Sequence, residues 1–209
     1  MGFICEGYTE KEIIDSRVFK QFLKKLNINF IQALNSKGNG KLLPEKIEKY
    51  NSRLKQMGAW QILIITDSDK DTIKEVYDRI KPDEKLHILI ISVKKVESWF
   101  LSNDETLKSI TGITYSEYRT KTKNKLPVNV EELGNPYDQL EDIFNEKTEL
   151  LDTSKFGIAK EFIKNQFDVQ NSNCDSAKYF VNKLKEVAKY KPVTIKKTSK
   201  SKKRKKKSK

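Results

Sequence analysis

Carboxylate side chains recur in this sequence where short apolar runs end. Glu6 ends the first such run, and Asp67 and Asp69 follow the most apolar one. Since side chains alternate along an extended chain, these two aspartates can point to the same side. Glu97 follows a later run by a few residues, and Glu10 lies four residues after Glu6. The carboxyl ends of parallel strands meet at one edge of an α/β sheet, so we expect the five side chains to face one site.

A cluster of this kind has a specific chemical use. Several carboxylates at one place repel each other, and a bound divalent cation is the usual means of keeping them ionised. Oxygen ligands favour Mg²⁺ or Mn²⁺ over Zn²⁺. Two such ions about 3.5–4 Å apart suit in-line displacement at phosphorus. The pattern therefore predicts phosphodiester hydrolysis or transfer that depends on one or two ions.

Each acid also has a structural explanation when it is taken alone. Glu10 can stabilise a helix start through the helix dipole, and Asp71 can cap the following helix. Glu97 can be a solvated neighbour of Trp99 and Phe100, which we expect in the core. An Asp-x-Asp sequence after a strand is common. The combination of these patterns is what favours a metal site.

The elements that would position these acids alternate between strands and helices. Apolar runs predict strands at residues 3–5, 30–34, 61–66 and 86–91. Helical spacing predicts a helix with a capping box of Thr9 and Glu12 that continues to Leu26. Further helices are predicted at residues 44–57 and 73–80. This alternation predicts an α/β fold with a mainly parallel sheet flanked by helices.

The pattern changes after residue 96, where helices are predicted at residues 136–144, 155–167 and 175–189. A loop is predicted at residues 126–136 because this segment contains two prolines and a glycine. We therefore divide the chain into an α/β domain at residues 1–103, a helical region at residues 104–190 and a Lys-rich tail at residues 191–209. The tail has nothing to bury and is predicted to be disordered until it meets a partner.

The tail and the two residues before it carry almost all of the net charge of +13, which arises from 42 Lys and Arg against 29 Asp and Glu. Residues 189–209 contain 12 of these cations and no acid, which leaves 30 cations against 29 anions in residues 1–188. The tail is predicted to bind DNA or RNA electrostatically, with steep salt dependence, and solubilising disorder is the alternative. The residues concerned are Lys196, Lys197, Lys202, Lys203, Arg204, Lys205, Lys206 and Lys207.

Composition also weighs against other classes of protein. No apolar run approaches the roughly 20 residues that span a bilayer, so no membrane partner is expected. The N-terminus lacks the basic and apolar segments of a secretory signal. Cys5 and Cys174 do not form a metal-binding spacing, and a reduced, cytoplasmic protein is the expectation.

Two of the acidic motifs together resemble the Toprim domain, which topoisomerases, bacterial primases, RNA-maturing nucleases and OLD-family nucleases share. The Glu-Gly motif of that family resembles residues 4–10, ICEGYTE, and its Asp-x-Asp motif resembles residues 64–69, IITDSD. The nearer resemblance is to small stand-alone OLD-like nucleases, including those of phage-defence systems. They add a second Glu, here Glu10, and a Glu-x-Trp-like segment, here at Glu97. The resemblance covers residues 1–103.

The resemblance implies a metal-dependent nuclease that hydrolyses phosphodiester bonds of DNA or RNA. It implies that Glu6, Asp67 and Asp69 are catalytic and hold Mg²⁺ or Mn²⁺. It further implies that Glu10 and Glu97 complete a two-metal site, and that Glu6 can act as a general acid or base. The carboxylates that would bind metal and take part in catalysis therefore come from three separate segments of the sequence, at residues 6–10, 67–69 and 97.

Other implications concern substrate and partners. Lys155, in the helical region, is a candidate contact for the scissile phosphate, with a solvated surface lysine as the alternative. The chain contains no Gly-x-x-x-x-Gly-Lys-Ser/Thr loop, so any ATP dependence in phage defence would come from a separate ATPase partner. Two other functions stay open: a non-catalytic Toprim module that binds nucleic acid or a partner protein, and an RNA-maturation nuclease.

Overall fold

The structure is a computed structural model that describes residues 1–147 and 152–190. Its four strands are β1 Gly2–Cys5, β2 Ala33–Asn35, β3 Ile62–Asp67 and β4 His87–Ser92. They form one all-parallel sheet in the order β2-β1-β3-β4, and helices flank it. The predicted α/β class with a parallel sheet is confirmed. The predictions for residues 191–209 lie outside the described residues.

The described residues contain ten α-helices. They are α1 Tyr8–Asp15, α2 Arg17–Lys25, α3 Pro44–Gln56, α4 Ile73–Ile80, α5 Glu97–Leu101, α6 Asp104–Thr111, α7 Tyr115–Lys121, α8 Pro136–Lys147, α9 Lys155–Lys164 and α10 Asp175–Lys189. Short 3₁₀ turns lie at Asn39–Lys41, Val130–Glu132 and Val169–Asn171. Within residues 1–147 and 152–190, no helix combines the length and the apolar character needed to cross a membrane.

Apolar side chains cover both faces of the sheet because β1 and β3 lie in its middle. On one face Phe3 and Leu63 pack in a core with residues of α1, α2, α5 and α10. On the other face Ile4 and Ile64 pack with residues of α3 and α4. Burial on both faces explains why the strands are continuous apolar runs rather than alternating ones. The same burial fixes the carboxyl ends of β1 and β3 side by side.

The larger core continues across residue 103, where the sequence predicts the end of the α/β domain. Trp99 in α5 stacks on Phe180 in α10 with ring centroids 5.3 Å apart, and Phe180 stacks on Phe19 in α2 at 5.6 Å. The Trp99 indole N–H donates to Ser176 Oγ at 2.8 Å. The helices after residue 103 therefore share a core with the sheet.

The single helix predicted through Leu26 is wrong, because the chain forms α1 and α2 there. Ser16 separates them with an extended backbone, at φ −60° and ψ 151°. Its Oγ accepts a hydrogen bond from the Phe19 N–H at 3.1 Å, so Ser16 is the N-cap of a new helix. Serine at an N-cap commonly stabilises a helix by about 1 kcal/mol. The spacing of apolar residues alone does not reveal this cap.

Other boundaries also differ from prediction. β2 begins three residues later than predicted, and Phe30 instead stacks on Phe3 with centroids 5.7 Å apart. Helix α9 ends at Lys164, and Gln166 then adopts a left-handed backbone at φ 62°. The sequence does not predict α6 and α7, which lack a long apolar stripe.

Candidate active site

Glu6 lies directly after β1, at the carboxyl end of the sheet. Its N–H donates to the Ile65 carbonyl at 2.9 Å and so extends the pairing of β1 with β3. Its Oε2 accepts hydrogen bonds from the Asp67 N–H at 3.2 Å and from the Thr66 hydroxyl. The Gly38 N–H donates to the Glu6 carbonyl at 2.9 Å. Glu6 is therefore held by the neighbouring strand and by the loop after β2.

Glu10 is buried in the first turn of α1. The predicted capping box of Thr9 and Glu12 is wrong, because the N-cap is Gly7 and the acid of the first turn is Glu10. Glu10 Oε2 accepts a hydrogen bond from the Gly7 N–H at 3.1 Å. This bond turns the carboxylate back towards the loop that carries Glu6.

Asp67 is the last residue of β3 and connects the ends of two neighbouring elements. Its Oδ1 accepts hydrogen bonds from Ser92 Oγ at 2.7 Å and from the Val96 N–H at 2.8 Å. Ser92 ends β4, and Val96 immediately precedes α5. Asp67 therefore fixes the start of the helix that carries Glu97.

Asp69 lies beyond the end of β3, so strand alternation does not set the direction of its side chain. Its backbone is left-handed at φ 50°, a conformation that Asp adopts more readily than most residues. The Asp69 N–H donates to the Lys94 carbonyl at 2.9 Å, and Oδ1 pairs with Lys95 Nζ at 2.8 Å. The turn geometry and this ion pair position the carboxylate.

Glu97 is the first residue of α5, and 3% of it is exposed. Its Oε1 lies 3.3 Å from Lys155 Nζ, at the start of α9, and this Nζ is 5.3 Å from the centre of the Tyr137 ring. Glu97 Oε2 is buried and has no hydrogen-bond partner among the described residues. An unpaired buried carboxylate oxygen is costly, which makes this position suited to a bound cation.

All five predicted carboxylates line one pocket of about 330 Å³. The remaining side chains at this pocket include two cations and two aromatic rings, Lys95, Lys155, Tyr8 and Phe156. The structure therefore brings together the predicted ligands Glu6, Glu10, Asp67, Asp69 and Glu97, and it places Lys155 beside them. The basic residues of the tail, Lys196 to Lys207, lie outside the described residues.

The hydrogen bonds and ion pairs around the pocket engage one oxygen of each carboxylate. The oxygens engaged are Glu6 Oε2, Glu10 Oε2, Asp67 Oδ1, Asp69 Oδ1 and Glu97 Oε1. The second oxygen of each takes part in none of the hydrogen bonds or ion pairs found among the described residues. Each side chain is thus fixed by the protein while one hard oxygen donor is left for a ligand, a set that suits Mg²⁺ or Mn²⁺.

The present side-chain positions do not complete a ligand set. Within the described part of the chain, no three Asp, Glu, His or Cys side chains converge on one point as ligands of a metal ion. The ion pairs of Asp69 with Lys95 and of Glu97 with Lys155 each hold one oxygen of these two acids. Coordination of one ion by three of the carboxylates would therefore require side-chain rotation.

Burial and mutual repulsion change the acidity of this cluster. Desolvation raises the pKa of Glu10 from 4.5 to about 7, with further contributions from the charges of Glu6 and Glu97. Desolvation also raises the pKa of Asp67 well above its usual value, followed by the charges of Glu10 and Glu97. A divalent cation would relieve this repulsion, so the electrostatics fit the donor set.

A larger groove of about 640 Å³ lies along the free edge of β4 and contains none of the five carboxylates. His87 lines this groove, but both of its ring nitrogens are engaged. Nε2 lies 2.9 Å from Asn51 Oδ1, and Nδ1 accepts a hydrogen bond from the Asp83 N–H at 3.0 Å. These contacts give His87 a structural role in holding the loop before β4 and helix α3 together.

Three residues of the site are not predicted from the sequence: Lys95, Tyr8 and Phe156. Lys95 could have been predicted, because it lies two residues before Glu97 in the loop after an apolar strand. No sequence pattern indicates Phe156, because only the packing of α9 against α1 brings this ring to the pocket.

Comparisons of the chain with protein-family models, curated proteins and solved structures found no match.

Proposed function

We propose that the protein is a Toprim-type nuclease that uses Mg²⁺ or Mn²⁺ to hydrolyse phosphodiester bonds of DNA or RNA. The observation that carries the proposal is the pocket in which five carboxylates each keep one oxygen outside the hydrogen bonds and ion pairs found among residues 1–147 and 152–190. The buried, unpaired Oε2 of Glu97 is the strongest sign that a cation belongs there. The positions of Glu6, Asp67 and Asp69 at the carboxyl ends of β1 and β3 agree with the Toprim motifs.

The chain would divide the chemical work among its acids. Asp67, Asp69 and Glu97 would hold the ion, with Glu10 nearby as a further ligand. When bound, the ion would neutralise charge on the phosphate and acidify a water. Glu6 is suited to accept a proton from the attacking water, because Asp67 and Thr66 fix its Oε2 while its Oε1 has no partner in the part of the chain that the structure describes.

Two lysines supply positive charge next to these acids. Lys95 and Lys155 each pair with one carboxylate of the pocket and are themselves partly exposed. A phosphate group that approaches the pocket would meet these cations at short range, which reduces its repulsion by the acids. Lys155 is therefore proposed as a phosphate contact, and Lys95 joins it.

A non-catalytic binding module is the second candidate, and it is favoured by the absence of a converged ligand set in the described residues. In that case the two lysines would serve to neutralise the acids permanently. The same site could serve phage defence with a separate ATPase partner, or it could serve RNA maturation. These two roles differ in substrate and partner. A substrate panel distinguishes these possibilities.

The decisive experiment incubates the protein with tRNA, rRNA, plasmid and single-stranded DNA in Mg²⁺, Mn²⁺ or EDTA. We expect cleavage of at least one substrate with metal, none in EDTA, and none by Asp67→Asn. Asp71→Asn is the matched control, because Asp71 pairs with Arg79 outside the pocket. Equal cleavage by Asp67→Asn and the control would contradict the mechanism. Metal-independent binding without cleavage of any substrate would support the binding module.

A further inference from the structure

Two aromatic rings are exposed at the mouth of the carboxylate pocket. Tyr8, the first residue of α1, is 38% exposed, and Phe156, the second residue of α9, is 40% exposed. Their ring centroids lie 4.5 Å apart at an interplanar angle of 47°. Among the described residues, no other two aromatic side chains with this much exposure are in ring contact. The aromatic pair is therefore an unusual surface feature, and it lines the same pocket as the acids.

A purely structural role explains only part of this arrangement. The ring contact links α1 to α9 and so stabilises the packing of these helices. Helix packing, however, would be served better by buried rings, since exposed apolar area contributes nothing to the hydrophobic effect. The exposed area of both rings is thus available to a ligand that also reaches the pocket.

The charges around the rings indicate the chemistry of that ligand. Lys160 Nζ lies over the Phe156 ring, 3.8 Å from its centre, so a base that stacks on this face would displace the ammonium group. Lys155, adjacent in sequence to Phe156, holds its Nζ 3.3 Å from Glu97 Oε1. Aromatic rings that alternate with cations are the combination that binds single-stranded nucleic acid, in which bases stack on rings and phosphates meet lysines.

We propose that Tyr8 and Phe156 form a platform on which one unpaired nucleobase of the substrate stacks, beside the carboxylates. This inference rests on the proposed function and specifies its substrate class as single-stranded nucleic acid. A duplex conceals the faces of its bases within the stack, so an intact duplex could use the platform only after a base is unstacked. The stacked base would place the adjoining phosphodiester next to Lys155 and the acids.

The test measures the dissociation constant of a short fluorescent oligothymidylate by anisotropy, with the full chain in Ca²⁺ to limit cleavage. An abasic strand with the same number of phosphates and a duplex of equal length are the comparison probes. We expect Tyr8→Leu and Phe156→Leu each to weaken binding of the oligothymidylate about 5- to 150-fold. Both should leave binding of the abasic strand unchanged, because the tail and lysines contact phosphates and not bases.

Two further variants guard against misfolding and non-specific effects. Phe156→Trp keeps an aromatic surface and should retain wild-type binding. Tyr179→Leu is the matched control, because Tyr179 is 48% exposed with Lys183 Nζ 5.4 Å from its ring centre, yet it lies outside the carboxylate pocket. It should bind the oligothymidylate as tightly as the wild type. Thermal melting shows whether each variant is folded.

The outcomes separate this inference from the proposed function. Equal losses for the oligothymidylate and the abasic strand, or no loss for either, would overturn the platform. If such variants still cleave nucleic acid with Mg²⁺, the nuclease proposal stands without it. Base-dependent binding that needs Tyr8 and Phe156, in a protein that cleaves nothing, would support the platform and reject the nuclease. A wild-type protein that binds no nucleic acid would reject both.

Discussion

Removal of one charge from the acidic pocket should stabilise the protein when no metal is bound. Glu10→Gln is the sharpest perturbation, because a glutamine oxygen can still accept the Gly7 N–H that Glu10 accepts at 3.1 Å. The variant therefore keeps the helix cap and loses only the titrating carboxyl. The effect on stability follows from the pKa of Glu10, which burial raises from 4.5 to about 7.

The sign of the effect depends on pH. A carboxyl with a raised folded-state pKa favours folding below its unfolded pKa, near 4.5, and this contribution is lost as the pH rises through about 7. At about 1.4 kcal/mol for each tenfold change in proton affinity, the wild type is destabilised by up to about 3 kcal/mol at pH 8. At pH 5 the corresponding cost is below about 1 kcal/mol.

Thermal melting in EDTA tests this magnitude. At pH 8 we expect Glu10→Gln to melt about 6–12 °C above the wild type, and at pH 5 the difference should shrink to a few degrees. In excess Mg²⁺ the advantage of the variant should shrink or reverse if the proposed site binds the ion, because a bound cation would stabilise the ionised wild-type carboxylates.

A matched control should change the melting temperature in the opposite direction. Glu117 occupies the equivalent capping position in α7, but its ion pair with Lys108 and its hydrogen bonds to Thr114 lower its pKa to about 2. Glu117→Gln should therefore lower the melting temperature at pH 8. Equal melting temperatures for wild type and Glu10→Gln in EDTA at pH 8 would refute the reasoning about the buried pocket.

Three further outcomes are expected. Asp67→Asn should reduce the proposed metal-dependent cleavage at least about 100-fold, as measured by product formation under single-turnover conditions, because it removes the charge of a proposed ligand while its Oδ1 can still accept the Val96 N–H. Deletion of residues 191–209 should weaken nucleic-acid binding and flatten its dependence on salt, while metal-dependent cleavage persists at high enzyme concentration; complete loss of cleavage would contradict the separation of tail and site. Phe180→Ala should lower the free energy of unfolding by about 3–5 kcal/mol in urea titrations, because Phe180 is fully buried between Phe19 and Trp99, and a loss below about 1 kcal/mol would contradict that packing.

The sheet could be predicted well because the apolar pattern that indicates each strand lies within that strand. The apolar run from Ile62 requires burial on both faces, and the acids that follow such runs must lie where parallel strands end. Glu6 and Asp67 accordingly meet across neighbouring strands, with the Asp67 N–H 3.2 Å from Glu6 Oε2. The candidate ligands were therefore recognisable without a structure.

Other features depend on tertiary packing and have no local pattern. The helix breaks at Ser16 because its side chain accepts a hydrogen bond from the Phe19 N–H in place of a backbone carbonyl. The helical spacing of apolar residues continues across this position, so the spacing does not reveal the break. Phe156 and Lys155 reach the pocket only because α9 packs on α1, almost 60 residues after Glu97. A periodic pattern cannot report such distant neighbours, so the aromatic side of the pocket was not predicted.

The stack of Trp99 on Phe180 has a consequence for how the pocket assembles. All five carboxylates belong to the first 103 residues, yet the short helix that carries Glu97 is anchored by Ser176 and Phe180 of α10. The pocket is therefore a product of long-range cooperativity, and its geometry is tied to contacts some 80 residues away in the chain. Detachment of α10 would therefore disturb the helix that carries Glu97, so the integrity of the acidic cluster is coupled to a helix that does not line the pocket.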